Sequence, residues 1–101
     1  MSAYKVIATS GLPITTPLTL HPGEVLQMEI EARGLKKADF ASQLHIKPSQ
    51  LSELLHAKRH VSAQLALRLE ALLGIDADFW MRVQTAYDIA IERQKLKNLT
   101  A

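Results

Sequence analysis

Apolar residues within positions 37–56 recur at the spacing of two short helices joined by a tight turn. These positions are Phe40, Ala41, Leu44, Ile46, Leu51 and Leu54. The small Ala41 lets a second helix cross close to the first, Leu51 lies where that helix packs, and Ile46 fills the turn. This pattern is typical of a helix-turn-helix, whose second helix commonly enters the major groove of DNA.

Start and stop signals outline the first three helices. Pro22 suits the first helical position, where its missing N–H costs nothing, and Gly34 suits the C-terminal end. The second helix is predicted from about Lys36 to Leu44. The third begins at Pro48 and continues to about Ala57.

Two more helices follow. The fourth is predicted to begin after Ser62 and to end at Gly74. Its apolar stripe consists of Leu65, Ala66, Leu69, Leu72 and Leu73. The fifth is predicted to begin at Asp76 or Asp78, to run past Glu92 and to fray near Asn98.

The fifth helix is apolar on more than one side. We predict that one face, Phe79, Val83, Ala86 and Ala90, packs on the bundle, whereas Trp80, Tyr87 and Ile91 stay partly free. Phe79, Trp80 and Tyr87 are thus expected in the core or in the seam of a homodimer. Because surplus apolar surface needs a partner, we expect a two-fold homodimer.

We therefore predict an all-α fold, a five-helix bundle with an extended N-terminal arm. Residues 1–20 form the arm, extended or partly disordered, residues 21–97 form the helix-turn-helix domain, and residues 98–101 form a frayed C-terminus. The β-branched segment Tyr4–Thr9 fits a strand added to a partner's sheet edge. Packing of this arm on its own domain or on the dimer mate is the alternative.

Charge is distributed unevenly along the chain. The net charge is only +2, yet residues 35–60 balance at +3, whereas residues 22–34 and 61–90 each balance at −2. A basic segment that coincides with the helix-turn-helix is typical of contact with phosphates. An ordinary solvated surface explains the same charges, so both interpretations stay open.

Several classes of protein are disfavoured by the composition. The chain has no cysteine, which excludes disulfides and thiolate sites. It shows neither an apolar run long enough to span a bilayer nor a secretory signal, so we expect a cytoplasmic protein without membrane contact. His56 and His60 are four residues apart but lack a third ligand, so no metal or other cofactor is expected. Without a phosphate-binding glycine loop or a nucleophile turn, an enzyme is not predicted.

If DNA is bound, its contacts divide into two groups. The first turns of the third helix would present Ser49, Gln50, Ser52 and Glu53 to base edges. The surrounding basic residues, Lys36, Lys37, Lys47, Lys58 and Arg59, would contact phosphates. An ordinary helix surface is the alternative for both groups.

Four segments carry a resemblance to a known family. They are HPGEVL at 21–26, the helix-turn-helix, LALRLEALLGI at 65–75 and DFWMRVQTAYD at 78–88. Together they resemble a HigA-type antitoxin, also called VapI-like, within the Cro/C1-type (xenobiotic-response-element) helix-turn-helix proteins. The resemblance implies a small dimeric all-α protein that binds and neutralises a HigB-type ribonuclease toxin. It also implies repression of its own operon through binding to double-stranded operator DNA.

This chain departs from the family pattern at several positions. His45 and Ala57 stand where glycine is usual, and Lys47 replaces the usual Ser or Thr cap, which costs about 1 kcal/mol. Glu53 lies on the face of the third helix that would enter the groove, where an acidic side chain repels phosphate but can accept a hydrogen bond from cytosine. Two alternatives thus remain, a toxin-binding module with weak or no DNA binding, and a repressor without a toxin.

Overall fold

The computed structural model describes residues 19–100. Five helices follow one another in this part of the chain: α1 Pro22–Arg33, α2 Lys37–Gln43, α3 Pro48–Leu55, α4 Ala63–Leu73 and α5 Ala77–Thr100. This architecture confirms the predicted all-α helix-turn-helix bundle. Residues 1–18 of the predicted arm lie outside the described residues, and α5 continues past Asn98, where we expected it to fray.

The predicted helix ends follow from local chemistry. Pro22 is the first residue of α1, and Gly34 ends that helix in the left-handed conformation at φ 64°. Ser62 caps α4 because its Oγ accepts a hydrogen bond from the Leu65 N–H, at 3.1 Å. Gly74 closes α4 at φ 73°.

The core contains residues from all five helices. Helices α1 and α2 pack on α3, α4 packs on α5, and α1 also contacts α5. The core residues of the helix-turn-helix, Phe40, Ala41, Leu44, Leu51 and Leu54, are at most 2% exposed. Leu72 departs from the predicted stripe of α4, because its side chain is 36% exposed while its neighbours Leu69 and Leu73 are buried.

The prediction for α5 is correct only in part, because Phe79, Val83 and Ala90 are half-buried as expected but Trp80 and Ala86 are not placed as expected on the helix surface. Trp80 is fully buried among the core residues rather than partly free, and Phe79 is half-buried with its ring against Trp80 at a centroid distance of 5.4 Å. Tyr87 is half-buried against the ring of His21, with centroids 4.7 Å apart. Ala86, which was expected to face the bundle, is exposed. The buried face of α5 therefore runs through Trp80, Gln84 and Tyr87.

Candidate nucleic-acid interface

The turn between α2 and α3 is held by backbone hydrogen bonds. The Ile46 N–H donates to the Ala41 carbonyl at 3.0 Å, and His45 adopts the left-handed conformation at φ 61°. Arg68 of α4 reinforces the turn, because its Nη1 donates to the Leu44 carbonyl at 3.1 Å. These bonds fix α3 relative to α2 and α4, so the exposed side of α3 is presented on a rigid support.

Helix α3 has one buried side and one exposed side. Leu51 and Leu54 are buried in the core, whereas Ser49, Ser52 and Glu53 are exposed. Three of the residues predicted for base readout therefore lie on the solvent side of α3. Their side chains offer hydroxyl and carboxylate groups, which are able to contact base edges.

The fourth residue predicted for base readout, Gln50, has a second role. Its Oε1 accepts a hydrogen bond from the Lys47 N–H at 2.9 Å, and the residue is half-buried. Gln50 thus stabilises the start of α3 at a position where Lys47 provides no side-chain cap. A bidentate contact with adenine uses both ends of the carboxamide, so Oε1 would accept from adenine N6 and from the Lys47 N–H at the same time.

Glu53 forms an ion pair with Arg59, which follows α3. Both Nε and Nη2 of Arg59 donate to Oε1 of Glu53, at 3.1 and 2.9 Å. The two side chains remain substantially exposed, at 40% for Arg59 and 49% for Glu53. A residue predicted to read bases and a residue predicted to contact phosphate are therefore brought together.

The four lysines predicted to contact phosphate lie at the ends of α2 and α3. Lys36 and Lys37 stand at the start of α2, Lys47 precedes α3, and Lys58 follows α3. All four are exposed, and none of them forms an ion pair within residues 19–100. Their ammonium groups are free to interact with an anion.

The basic loop after α3 is anchored by a residue that the prediction of DNA contacts missed. Gln84 of α5 is only 4% exposed, and its Oε1 accepts a hydrogen bond from the Val61 N–H at 2.7 Å. Its Nε2 donates to Asp88 Oδ1 at 2.9 Å. Gln84 therefore ties α5 to the loop that carries Lys58 and Arg59. The sequence feature that could have indicated this role is the position of Gln84 in the DFWMRVQTAYD segment.

His21 is a second supporting residue. It is buried, and its Nδ1 accepts a hydrogen bond from the Gly23 N–H at 2.9 Å, which caps the start of α1. Burial lowers the pKa of His21, and the nearby His60 lowers it further. Glu24 and Asp88 act in the opposite direction and raise it. Because Nδ1 is the acceptor, the neutral ring carries its proton on Nε2.

Residues 19–100 contain no group of three His, Asp or Glu side chains arranged to hold a metal ion. Within these residues no helix combines the length and the apolar character needed to span a membrane. The exposed side of α3 and its flanking lysines remain the candidate interface.

Comparison with known proteins identifies relatives of this chain. A family model described as helix-turn-helix matches residues 26–80. Virulence-associated protein I of Dichelobacter nodosus is 37% identical over 81 residues, which cover 79% of this chain and 75% of that protein.

Solved structures resemble the fold as well. An addiction module antidote protein of a HigA family from Coxiella burnetii is 31% identical, with a TM-score of 0.72 over 79% of this chain and 88% of that one. The Pseudomonas aeruginosa antitoxin HigA, solved with the higBA promoter, is 25% identical, with a TM-score of 0.74 over 81% of this chain and 90% of that one.

The fold and the exposed α3 define a helix-turn-helix protein of the Cro/C1 type. The chain belongs to this family, and within it to the VapI-like, HigA-type antitoxins. The family comprises antitoxins and transcription regulators and not enzymes.

Proposed function

We propose that this protein neutralises a HigB-type ribonuclease toxin and, as a cytoplasmic homodimer, represses its own operon by binding operator DNA. The observation that carries the DNA-binding part is the exposed side of α3 with unpaired lysines at both of its ends. Lysines at these positions neutralise phosphates and set the register, while the exposed side chains of α3 contact bases. The P. aeruginosa HigA structure, which holds the higBA promoter, supports this assignment.

The Glu53–Arg59 ion pair bears on the alternative of weak DNA binding. An unpaired carboxylate on the groove side of α3 would repel phosphates. In this structure Arg59 donates two hydrogen bonds to Glu53 Oε1, so the local charge is compensated. This pairing favours an intact DNA-binding surface over a module that has lost it.

We propose that the homodimer forms through one side of α5. This side differs from the one that the sequence pattern suggested. Met81, Arg82, Thr85, Ala86 and Ile89 line a shallow apolar groove on the exposed side of this helix. Ile89 is 45% exposed, and Leu96 and Leu99 farther along the helix are 61% and 81% exposed. Covering these side chains with a second copy removes apolar surface from water.

Operator binding is tested by titrating the full chain against DNA from upstream of its own gene over a range of salt concentrations. The double substitution Lys47→Ala with Lys58→Ala should weaken binding about equally on operator and unrelated DNA. It should also lower the slope of log affinity against log salt by about 0.9 for each lost contact. Lys95→Ala, which changes an α5 lysine paired with Glu92, is the control and should leave the slope unchanged.

Two results would contradict this part of the proposal. A wild-type slope in the double variant would show that these lysines do not contact phosphates. Equal affinity of the wild-type protein for upstream and unrelated DNA would exclude operator recognition.

Toxin neutralisation is tested separately. The reading frame beside this gene should encode a small ribonuclease, and its expression alone should arrest growth. Co-expression with the present chain should restore growth. If the neighbouring product is harmless, or if co-expression leaves growth arrested, the chain acts as a repressor without a toxin.

A further inference from the structure

Arg59 differs from the four lysines because a carboxylate holds it in place. Ala57 adopts the left-handed conformation at φ 62°, which turns the chain back on α3. The Lys58 N–H then donates to the Glu53 carbonyl at 2.8 Å. This turn returns Arg59 to Glu53, six residues earlier, where the ion pair forms through Nε and Nη2.

The charge of the pair disfavours a phosphate as the target of Arg59. Because Glu53 cancels the charge of the guanidinium, the ion pair offers a phosphate no net electrostatic attraction. A guanine base has no formal charge, and its N7 and O6 are both acceptors in the major groove. The carboxylate therefore penalises phosphate contact much more than it penalises contact with guanine.

The donors of Arg59 fit a base edge as well. A guanidinium has five N–H donors in a planar fork, of which Glu53 engages one on Nε and one on Nη2. Both hydrogens on Nη1 and the second hydrogen on Nη2 remain, and that end of the fork matches a bidentate contact with guanine. The pair also restricts the long side chain before DNA arrives, which lowers the entropy lost on binding.

We propose that Arg59 reads a guanine in each operator half-site and that Glu53 is a positioning residue that orients its guanidinium. Glu53 then makes no direct base contact of its own. This inference rests on the proposed operator binding. It changes the role of Arg59 from phosphate contact to base readout.

The test uses operator duplexes in which one guanine at a time is replaced by 7-deazaguanine, which lacks the N7 acceptor and leaves the phosphates intact. Wild-type affinity should fall about fivefold or more at one guanine in each half-site. Arg59→Ala should bind the natural operator more weakly and should lose the sensitivity to 7-deazaguanine at that position. Lys58→Ala, the matched control, should bind more weakly but keep the sensitivity.

Glu53→Ala tests the positioning role, because it removes the Oε1 that accepts both Arg59 hydrogen bonds together with the charge of the carboxylate. The affinity ratio between guanine and 7-deazaguanine at the Arg59-dependent position should fall toward one, while the ratios at other positions stay unchanged. If Glu53 only repelled phosphates, this variant would bind every duplex more tightly and keep the same ratio. That result would overturn the positioning role.

The outcomes separate this inference from the proposed function. If Arg59→Ala keeps every wild-type sensitivity to 7-deazaguanine, the inference is overturned and operator binding stands. If the wild-type protein shows no preference for its operator, both are overturned. The side chains of Arg59 and Glu53 are exposed, so the variants should melt close to the wild-type temperature.

Discussion

Gly23, near the start of α1, packs against the backbone carbonyl of Leu54 near the end of α3. A β-carbon added at Gly23 would overlap the Leu54 oxygen, which belongs to the backbone and has no flexible end to move away. Both residues are buried, so this contact sets the closest approach of α1 to the helix proposed to enter the DNA groove. Only glycine allows that approach.

The first prediction is that Gly23→Ala destabilises the fold by about 2 kcal/mol or more, because α1 must move away from α3. Urea denaturation followed by circular dichroism measures the effect. Gly34→Ala is the control. Its β-carbon would meet no atom within 4 Å, so it should cost only the strain of the left-handed conformation, about 1 kcal/mol. Equal losses in the two variants would contradict the proposed steric cause.

The second prediction concerns the two residues other than glycine with positive φ. Ala57→Gly should stabilise the protein by about 0.5–1 kcal/mol, because it removes the strain of a β-carbon at φ 62°. His45→Gly should stabilise less, since histidine tolerates this conformation better than alanine does. Thermal melting of the two variants checks the order. If Ala57→Gly destabilises the protein, the backbone strain at Ala57 is smaller than the additional conformational entropy that glycine loses on folding.

The start and stop signals in the sequence predicted most of the fold. Pro22, Pro48 and Ser62 mark helix starts through local chemistry that needs no tertiary contact, and Gly34 and Gly74 mark two ends in the same way. The helix-turn-helix core was predictable for a related reason. Its apolar residues follow one helical period on each side of a short turn.

The orientation of α5 was not predictable in this way. Its buried face passes through Gln84, a polar residue that interrupts the apolar period, whereas a neighbouring face with Ala86 is more uniformly apolar. The burial of Gln84 depends on the Val61 N–H, which is 23 residues away in sequence. Similarly, the pairing of Glu53 with Arg59 depends on the left-handed turn at Ala57, and helical spacing contains no sign of it.

The third prediction tests this link between α5 and the basic loop. Gln84→Leu should destabilise the protein by about 1–3 kcal/mol, because the buried Val61 N–H loses its acceptor while the side-chain volume changes little. Gln64→Leu, at an exposed position of α4, is the control and should change stability by less than about 0.5 kcal/mol. Chemical denaturation measures both, and equal stability of the two variants would contradict the role given to Gln84.

The fourth prediction concerns pH. The pKa of His21 is lowered from its ordinary 6.5 because the ring is buried, and the groups around it are His60, Glu24, Asp88 and the ring of Tyr87. The unfolded chain therefore binds a proton at a higher pH than the native protein does. The stability contributed by neutral His21 is complete above about pH 6.5. It is lost as the pH falls from there toward the lowered pKa, since protonation of Nδ1 removes the acceptor for the Gly23 N–H.

Urea denaturation of wild type and His21→Asn at about pH 7.5 and about pH 5 checks this expectation. Asparagine retains a capping acceptor and does not titrate, so the variant should lose less stability than the wild type between the two values. An equal loss in both proteins would show that His21 does not cause the acid sensitivity.

The fifth prediction is that the protein is a homodimer held by the exposed side of α5. Ile89→Glu should convert it to a monomer, because a carboxylate in the apolar groove would lose its hydration when a second copy covers it. Ile91→Glu is the matched control. Ile91 is 39% exposed and lines a different cavity with His60 and Tyr87, so this variant should remain dimeric.

Sedimentation velocity over the micromolar range distinguishes the two cases. The dimer should also be required for tight operator binding, since it places two α3 helices at half-sites about one DNA turn, roughly 34 Å, apart. Ile89→Glu should then bind a duplex with a single half-site with the affinity of the wild-type monomer. On the full operator it should lose the additional affinity that the second half-site provides. If Ile91→Glu dissociates the homodimer and Ile89→Glu does not, the dimer interface lies on the side of α5 that carries Tyr87. A monomeric wild-type protein would exclude both interfaces.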